Sequence, residues 1–111
     1  MKRGEIWTLR DDGYASKAQP VVIVQSDEAN MFDSIVLCLF TTFESGDIPT
    51  RVFISAGAVN GLNKDSFVMT EKIVTVAKDE LGEKIGELTP TEMRSISEEL
   101  AVVLGITGRS E

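Results

Sequence analysis

Short apolar segments alternate with turn-forming clusters along the first 88 residues of the chain. The segments predict strands near residues 4–9, 20–25, 34–42, 50–54, 66–76 and 83–88. Clusters rich in Asp, Asn, Ser and Gly separate them, for example at 11–13, 44–47 and 60–65. So many short strands predict a mainly β protein built as a small barrel.

Two of these segments, 20–24 and 35–40, are continuously apolar instead of alternating. Both faces of such a strand need cover. The barrel core can cover one face, and either the terminal helix or a second subunit can cover the other. Cys38 lies in the second run, and the chain has neither a histidine nor another cysteine. We therefore interpret Cys38 as a buried, inert thiol.

A helix follows the last strand. Thr89, Pro90 and Glu92 have the spacing of an N-cap, a proline in the first turn and a capping box, and Gly105 suits the C-terminal cap. One apolar stripe follows the helix, made of Met93, Ile96, Leu100, Val103 and Leu104. We predict one domain over residues 1–106 and a flexible tail over 107–111.

Composition narrows the possible functions. With 111 residues and no apolar run long enough to span a bilayer, the chain is expected to be one cytoplasmic domain without membrane contact. Without histidine it has no imidazole metal site and no Ser-His pair. The adjacent carboxylates Asp11–Asp12 and Asp79–Glu80 lack calcium-loop spacing and are interpreted as turn residues. We expect no metal and no cofactor.

Charge argues against a broad nucleic-acid surface, because the net charge is -7. Any RNA would have to occupy a local groove. The cations available in the strand region are Lys2, Arg3, Arg10, Lys17, Arg51, Lys64 and Lys72.

Three segments in this order carry a family resemblance: Arg3 to Trp7, Pro20 to Asp27, and Asp65 to Val76, followed by the capped helix. The chain resembles the PemK/MazF toxins of bacterial type II toxin–antitoxin modules. The resemblance implies an SH3-like barrel of the PemK/CcdB kind and a homodimer. It also implies metal-independent, sequence-specific cleavage of single-stranded RNA through the ribose 2'-hydroxyl, and inhibition by a cognate antitoxin. Direct DNA binding is not expected except through the antitoxin.

The resemblance also implies catalytic positions. The family has an arginine just before the proline that opens the second strand, and this chain has Gln19 there. The family threonine at the end of the third strand matches Thr41, with Thr42 as the adjacent alternative. By pattern alone, a Thr41 that merely ends a strand is an equal alternative.

Three explanations of Gln19 remain open. Lys17, on the same strand face if the backbone is extended, replaces the missing charge. The chain is a natural member with weakened activity. Or an arginine was deliberately replaced by glutamine, because an active RNA-cleaving toxin harms its host. We favour the third explanation.

Further RNA-binding positions follow from the resemblance. Thr42, beside the family threonine, is one of them. Glu71 and Lys72 match residues lining the family's RNA groove, although a surface ion pair is an equal alternative. Arg10, Ser16 and Lys17 flank or belong to the first long loop, and Tyr14 and Phe43 could stack on bases, although Phe43 beside a turn also suits packing.

Other classes of function remain as alternatives. A non-catalytic SH3-like barrel would bind a partner without cleaving RNA. A gyrase poison of the CcdB type acts through a C-terminal tryptophan tail, whereas the only tryptophan here is Trp7. An acid–base enzyme is disfavoured by the lack of histidine and of paired carboxylates in strands.

Overall fold

The computed structural model describes residues 1–10 and 18–107 of the protein. Within these residues the chain forms six strands and one α-helix, in the order predicted. The elements are β1 Glu5–Leu9, β2 Gln19–Ile23, β3 Ser34–Thr41, β4 Val52–Ile54, β5 Ser66–Ala77, β6 Leu81–Glu87 and α1 Pro90–Leu104. Two single 3₁₀ turns, Asp27–Ala29 and Lys78–Glu80, were not predicted.

All strand pairs are antiparallel, and the sheet has the order β4-β5-β3-β2-β1-β6. A register shift interrupts the β3–β5 pairing, because Cys38 pairs with Ile73 whereas the next residue, Leu39, pairs with Met69. The extra residues in β5 bend the sheet there.

The two edges of the sheet approach each other through a loop. The backbone N–H of Glu87 in β6 donates to the carbonyl of Val59, in the loop that follows β4, at 3.1 Å. The strand ladder itself is not closed between β4 and β6. The curled sheet with its C-terminal helix is nevertheless barrel-like, which confirms the predicted fold class.

Two apolar clusters occupy opposite sides of the sheet. The first packs beneath α1 and contains Ile6, Val22, Cys38, Ile54, Leu62, Val68, Leu88, Met93 and Ile96. The second contains Val21, Ile23, Ile35, Leu37 and Leu81. Alternate residues of the two continuous apolar runs therefore enter different clusters. Ile35, Leu37 and Cys38 are buried within one chain, so a second subunit is not needed to cover them.

Local sequence signals set the ends of α1. The Thr89 hydroxyl accepts from the N–H of Glu92 at 3.1 Å, and the Glu92 carboxylate accepts from the N–H of Thr89 at 2.9 Å. Gly105 adopts the left-handed conformation that ends the helix. Met93 and Ile96 are buried, but Leu104 is 57% exposed. The buried residues of α1 lie in its first half, so the predicted stripe enters the core there and leaves Leu104 on the surface of the single chain.

No helix among the described residues is long and apolar enough to cross a bilayer. The predicted tail, 107–111, lies outside the described residues except for Thr107, and the domain boundary at 106 remains a prediction.

Candidate functional site

A groove of about 1040 Å³ opens where β2 begins and β3 ends. The loop between β4 and β5 forms another side of it. The described residues that line the groove are Thr8, Ala18, Gln19, Pro20, Phe40, Thr41, Thr42, Gly61, Leu62, Asn63, Lys64, Ser66 and Ile85. The groove thus contains the two predicted catalytic positions and Thr42.

The strand register brings Gln19 and Thr41 together. In the β2–β3 ladder Val21 pairs with Leu39, and residue numbers change in opposite directions along the two strands. Continuing this antiparallel register by two residues places Gln19 opposite Thr41. Pro20, which has no N–H for the ladder, fixes an extended backbone at Gln19 and so aims its side chain.

The Thr41 hydroxyl is already oriented. It accepts a hydrogen bond from the N–H of Phe43 at 3.1 Å, in the turn that ends β3. A hydroxyl that accepts one hydrogen bond still has its own hydrogen to donate. Thr41 is therefore able to donate to an anionic oxygen in the groove.

Sequence reasoning missed three polar residues of the groove: Thr8, Asn63 and Ser66. Thr8 lies in β1 opposite Pro20, and Ser66 is buried, with its hydroxyl donating to the carbonyl of Lys64 at 2.9 Å. The composition of the 60–65 cluster predicts a turn with one available cation, Lys64. Nothing in its composition indicated that this turn faces the end of β3, because that contact depends on the fold of the whole sheet.

Four predicted RNA-binding residues do not line the groove: Arg10, Phe43, Glu71 and Lys72. The Phe43 side chain is 75% exposed, and Arg10 is exposed at the end of β1. The predicted contributions of Tyr14, Ser16 and Lys17 lie outside the described residues, as does the Asp11–Asp12 pair.

Glu71 belongs to a separate polar cluster with Arg51 and Ser45. The Arg51 guanidinium donates through Nε to Glu71 Oε2 at 3.1 Å and through Nη1 to the Ser45 hydroxyl at 3.0 Å. The Ser45 hydroxyl in turn donates to the carbonyl of Phe43 at 2.9 Å. These hydrogen bonds from Arg51 lower the pKa of the Glu71 carboxyl, against an opposing effect of burial. Arg51, and not Lys72, is the hydrogen-bonded partner of Glu71.

Cys38 is fully buried in the first cluster, as predicted. Burial, followed by the negative charge of Glu71, raises the pKa of its thiol to about 11. A thiol with this pKa is protonated at neutral pH and is a poor nucleophile. Among the described residues, no group of three His, Cys, Asp or Glu side chains is placed to hold a metal ion.

A curled antiparallel sheet, a capped C-terminal helix and a polar groove at the strand ends define a small β-barrel-like protein with a site between β2, β3 and the β4–β5 loop. The family described as "PemK-like, MazF-like toxin of type II toxin-antitoxin system" matches residues 2–104. The chain belongs to this family.

Individual relatives agree with this assignment. A protein of Mycolicibacterium smegmatis named "Probable endoribonuclease MazF" is 34% identical over 97% of this chain and 100% of its own length. Endoribonuclease MazF4 of Mycobacterium tuberculosis strain H37Rv is 34% identical over 94% of this chain and 92% of its own. A solved mycobacterial endoribonuclease in complex with its cognate antitoxin has a TM-score of 0.78 and 32% identity, covering 98% of this chain and 97% of that one.

Proposed function

We propose that the protein is a toxin of a bacterial type II toxin–antitoxin module that acts in the cytoplasm as a metal-independent endoribonuclease on single-stranded RNA. Family membership over residues 2–104 supports the class. The observation that carries the site is that Gln19 and Thr41, which match the family's catalytic positions, line one groove.

Cleavage through the ribose 2'-hydroxyl makes three demands on this groove. The 2'-oxygen must lie in line with phosphorus, the added negative charge on phosphorus must be stabilised, and the departing 5'-oxygen must receive a proton. Thr41 can donate a hydrogen bond to a non-bridging phosphate oxygen. Gln19 can also donate there, but its amide carries no charge. Loss of one such transition-state contact commonly lowers a rate by about 10²- to 10³-fold.

Gln19→Arg should therefore create or strongly raise RNA cleavage. The chain, its Gln19→Arg variant and a Met31→Arg control are each incubated with single-stranded RNA in the presence of EDTA. Met31 is 71% exposed and does not line the groove, so the control adds the same charge elsewhere. We expect cleavage to rise in Gln19→Arg alone, with 2',3'-cyclic phosphate and 5'-hydroxyl ends.

Replacing Thr41 tests the second catalytic position. In the Gln19→Arg background, Thr41→Val keeps the branched shape but removes the hydroxyl, and should lower the rate. Thr41→Ser should restore part of it, and Thr75→Val, on an exposed position of β5, should leave it unchanged. Products bearing 5'-phosphate would overturn the mechanism. Absence of cleavage in every variant would favour the non-catalytic binding module.

The gyrase-poison alternative gains no support from the tryptophan. Trp7 packs against the second apolar cluster, and its ring N–H donates to the Glu5 carboxylate at 3.0 Å. Trp7 therefore stabilises β1 through its packing and its hydrogen bond to Glu5.

A cognate antitoxin and a second copy of the chain are the protein partners that we propose. The complex formed by the mycobacterial relative supports the first. For the second, large apolar side chains remain exposed on the single chain, among them Phe53, Val102, Leu104 and Ile106. A two-fold homodimer is the commonest way to cover such surface. Light scattering at micromolar concentration should give the mass of two chains.

A further inference from the structure

The described lining of the groove is positively charged, whereas the protein as a whole is negatively charged. Lys64 is the only charged side chain among its described lining residues, and none of the 18 acidic residues of the chain is among them. In a molecule with a net charge of -7, the described lining of this groove thus carries one positive charge and no negative one. The charge lies in the same groove as Gln19, where the family arginine is missing.

The backbone that carries Lys64 is fixed from both sides. Its carbonyl accepts from the Ser66 hydroxyl at 2.9 Å. The next residue, Asp65, accepts from the N–H of Ala56 through Oδ1 at 2.8 Å. Earlier in the loop, the buried Asn60 side chain accepts from the N–H of Leu62 at 3.0 Å. These bonds hold the loop in one conformation, so the Lys64 side chain leaves the protein from a defined point.

The Lys64 ammonium is available to a ligand. Lys64 is exposed and takes part in none of the ion pairs found among the described residues. The carboxylate of the adjacent Asp65 is turned toward the backbone of Ala56.

Several cations elsewhere in the described part of the chain are already engaged. Arg51 is held by Glu71 and Ser45. Lys84 lies 3.4 Å from the Glu5 carboxylate and 3.6 Å from that of Glu87. Arg3 donates to the carbonyl of Val24 and to the hydroxyl of Ser97. These three side chains support the fold and do not line the groove, whereas Lys64 is the cation among the described lining residues.

We propose that Lys64 binds a backbone phosphate of the RNA in this groove, and so supplies a positive charge that Gln19 does not. The inference rests on the proposed function, because it names a binding residue of the same site. An ammonium contacts phosphate as a point charge without demanding bidentate geometry, which suits a residue that recognises the backbone and not the base.

Binding is measured separately from cleavage, with a fluorescent single-stranded RNA whose 2'-hydroxyls are methylated. Anisotropy titrations from 50 to 200 mM salt compare the unmodified chain with Lys64→Gln, Lys64→Arg and Lys78→Gln. Lys78 contacts Asn30, away from the groove, and its variant is the matched control. Circular dichroism establishes that each variant is folded.

Lys64→Gln should weaken binding and make the slope of log K against log salt shallower by about 0.7, the value for one phosphate contact on a single strand. Lys64→Arg should keep the slope, and so should Lys78→Gln. Binding by Lys64→Gln with the original affinity and slope would overturn the role of Lys64 while leaving the proposed function intact. If the unmodified chain binds no RNA and Gln19→Arg neither binds nor cleaves it, the proposed function fails, and the role of Lys64 fails with it.

Discussion

Glu71 shows how one carboxylate can be important for the fold without lining the groove. Arg51 binds it and also binds Ser45, which fixes the turn that follows Thr42. The cluster therefore links β5 and the start of β4 to the segment just beyond the predicted catalytic threonine. Glu71 thus acts on the segment after Thr42 through Arg51 and Ser45, without lining the groove.

The lowered pKa of Glu71 predicts a pH-dependent contribution to stability. Since the folded state favours the charged carboxylate, that contribution is present above the ordinary glutamate pKa and is lost as pH falls through the lowered pKa of the folded state. Glu71→Gln should reduce the free energy of unfolding at pH 7 by about 1 kcal/mol or less, because the Glu71 side chain is 33% exposed.

Urea unfolding at pH 7 and pH 3 measures this difference. The gap between the unmodified chain and Glu71→Gln should shrink at the lower pH. Glu98→Gln, on the exposed side of α1, serves as the control. An equal gap at both pH values would show that the loss is one of packing and not of charge.

At the level of single residues, the sequence predicted the features that depend only on neighbouring residues. Thr89 marks the start of α1 through its own capping chemistry, and Pro20 marks the start of β2 to within one residue. Gln19 and Thr41 were assigned by the family resemblance, and their catalytic roles stay predictions. The partner of Glu71 was not predictable in this way, because Arg51 lies 20 residues away and meets it only across the β4–β5 pairing.

Among the elements, the loop from Ser55 to Asp65 contributes most to the shape of the groove. Gly61 has a φ of +72° and lies against β6, where an added Cβ would be 2.1 Å from the carbonyl oxygen of Ile85. Gly86 is equally close to the loop, since a Cβ there would lie 2.3 Å from the carbonyl carbon of Asn60. Only glycine at both positions permits this approach.

Gly61→Ala should therefore push the loop away from β6 and destabilise the protein. The strained backbone alone costs about 1–3 kcal/mol, and the contact with Ile85 adds to it. Gly57→Ala in the same loop is the matched control, because an added Cβ there meets nothing within 4 Å. The free energy of unfolding in urea should fall for Gly61→Ala and change little for Gly57→Ala. Equal stability of the two variants would mean that the loop can move away from Ile85 without loss.

This loop also explains why the element pattern was easier to predict than the site. The strands and α1 are predicted from hydrophobic alternation and capping residues, and each of these signals involves residues only a few positions apart in the sequence. The approach of Gly61 to Ile85 depends on how far the whole sheet curls, and therefore on the β3–β5 register shift at Cys38. No local pattern encodes that distance, so a glycine in a turn gave no indication that it shapes a groove.

For the whole molecule, the net charge of -7 sets how partners are attracted. Electrostatic repulsion disfavours the approach of RNA or of an acidic peptide to this negatively charged protein. Salt screens that repulsion beyond about 8–10 Å at ordinary concentrations. Binding must therefore come from contacts inside the groove. Besides Lys64, the groove offers apolar surface from Pro20, Phe40, Leu62 and Ile85.

An antitoxin segment that uses this groove should compete with RNA. Its apolar side chains would cover Phe40 and Ile85, and a single carboxylate would meet Lys64, so its affinity should depend only modestly on salt. We expect the apparent dissociation constant of a cognate antitoxin peptide to rise in proportion to the concentration of a bound, uncleavable RNA. Because the two ligands would exclude each other from one groove, the peptide should in turn raise the apparent dissociation constant of the RNA. Anisotropy of labelled RNA during peptide titration measures this, with a scrambled peptide of equal composition as the control. If peptide and RNA bind together without weakening each other, they occupy different surfaces, and the antitoxin would have to inhibit the protein without entering the groove.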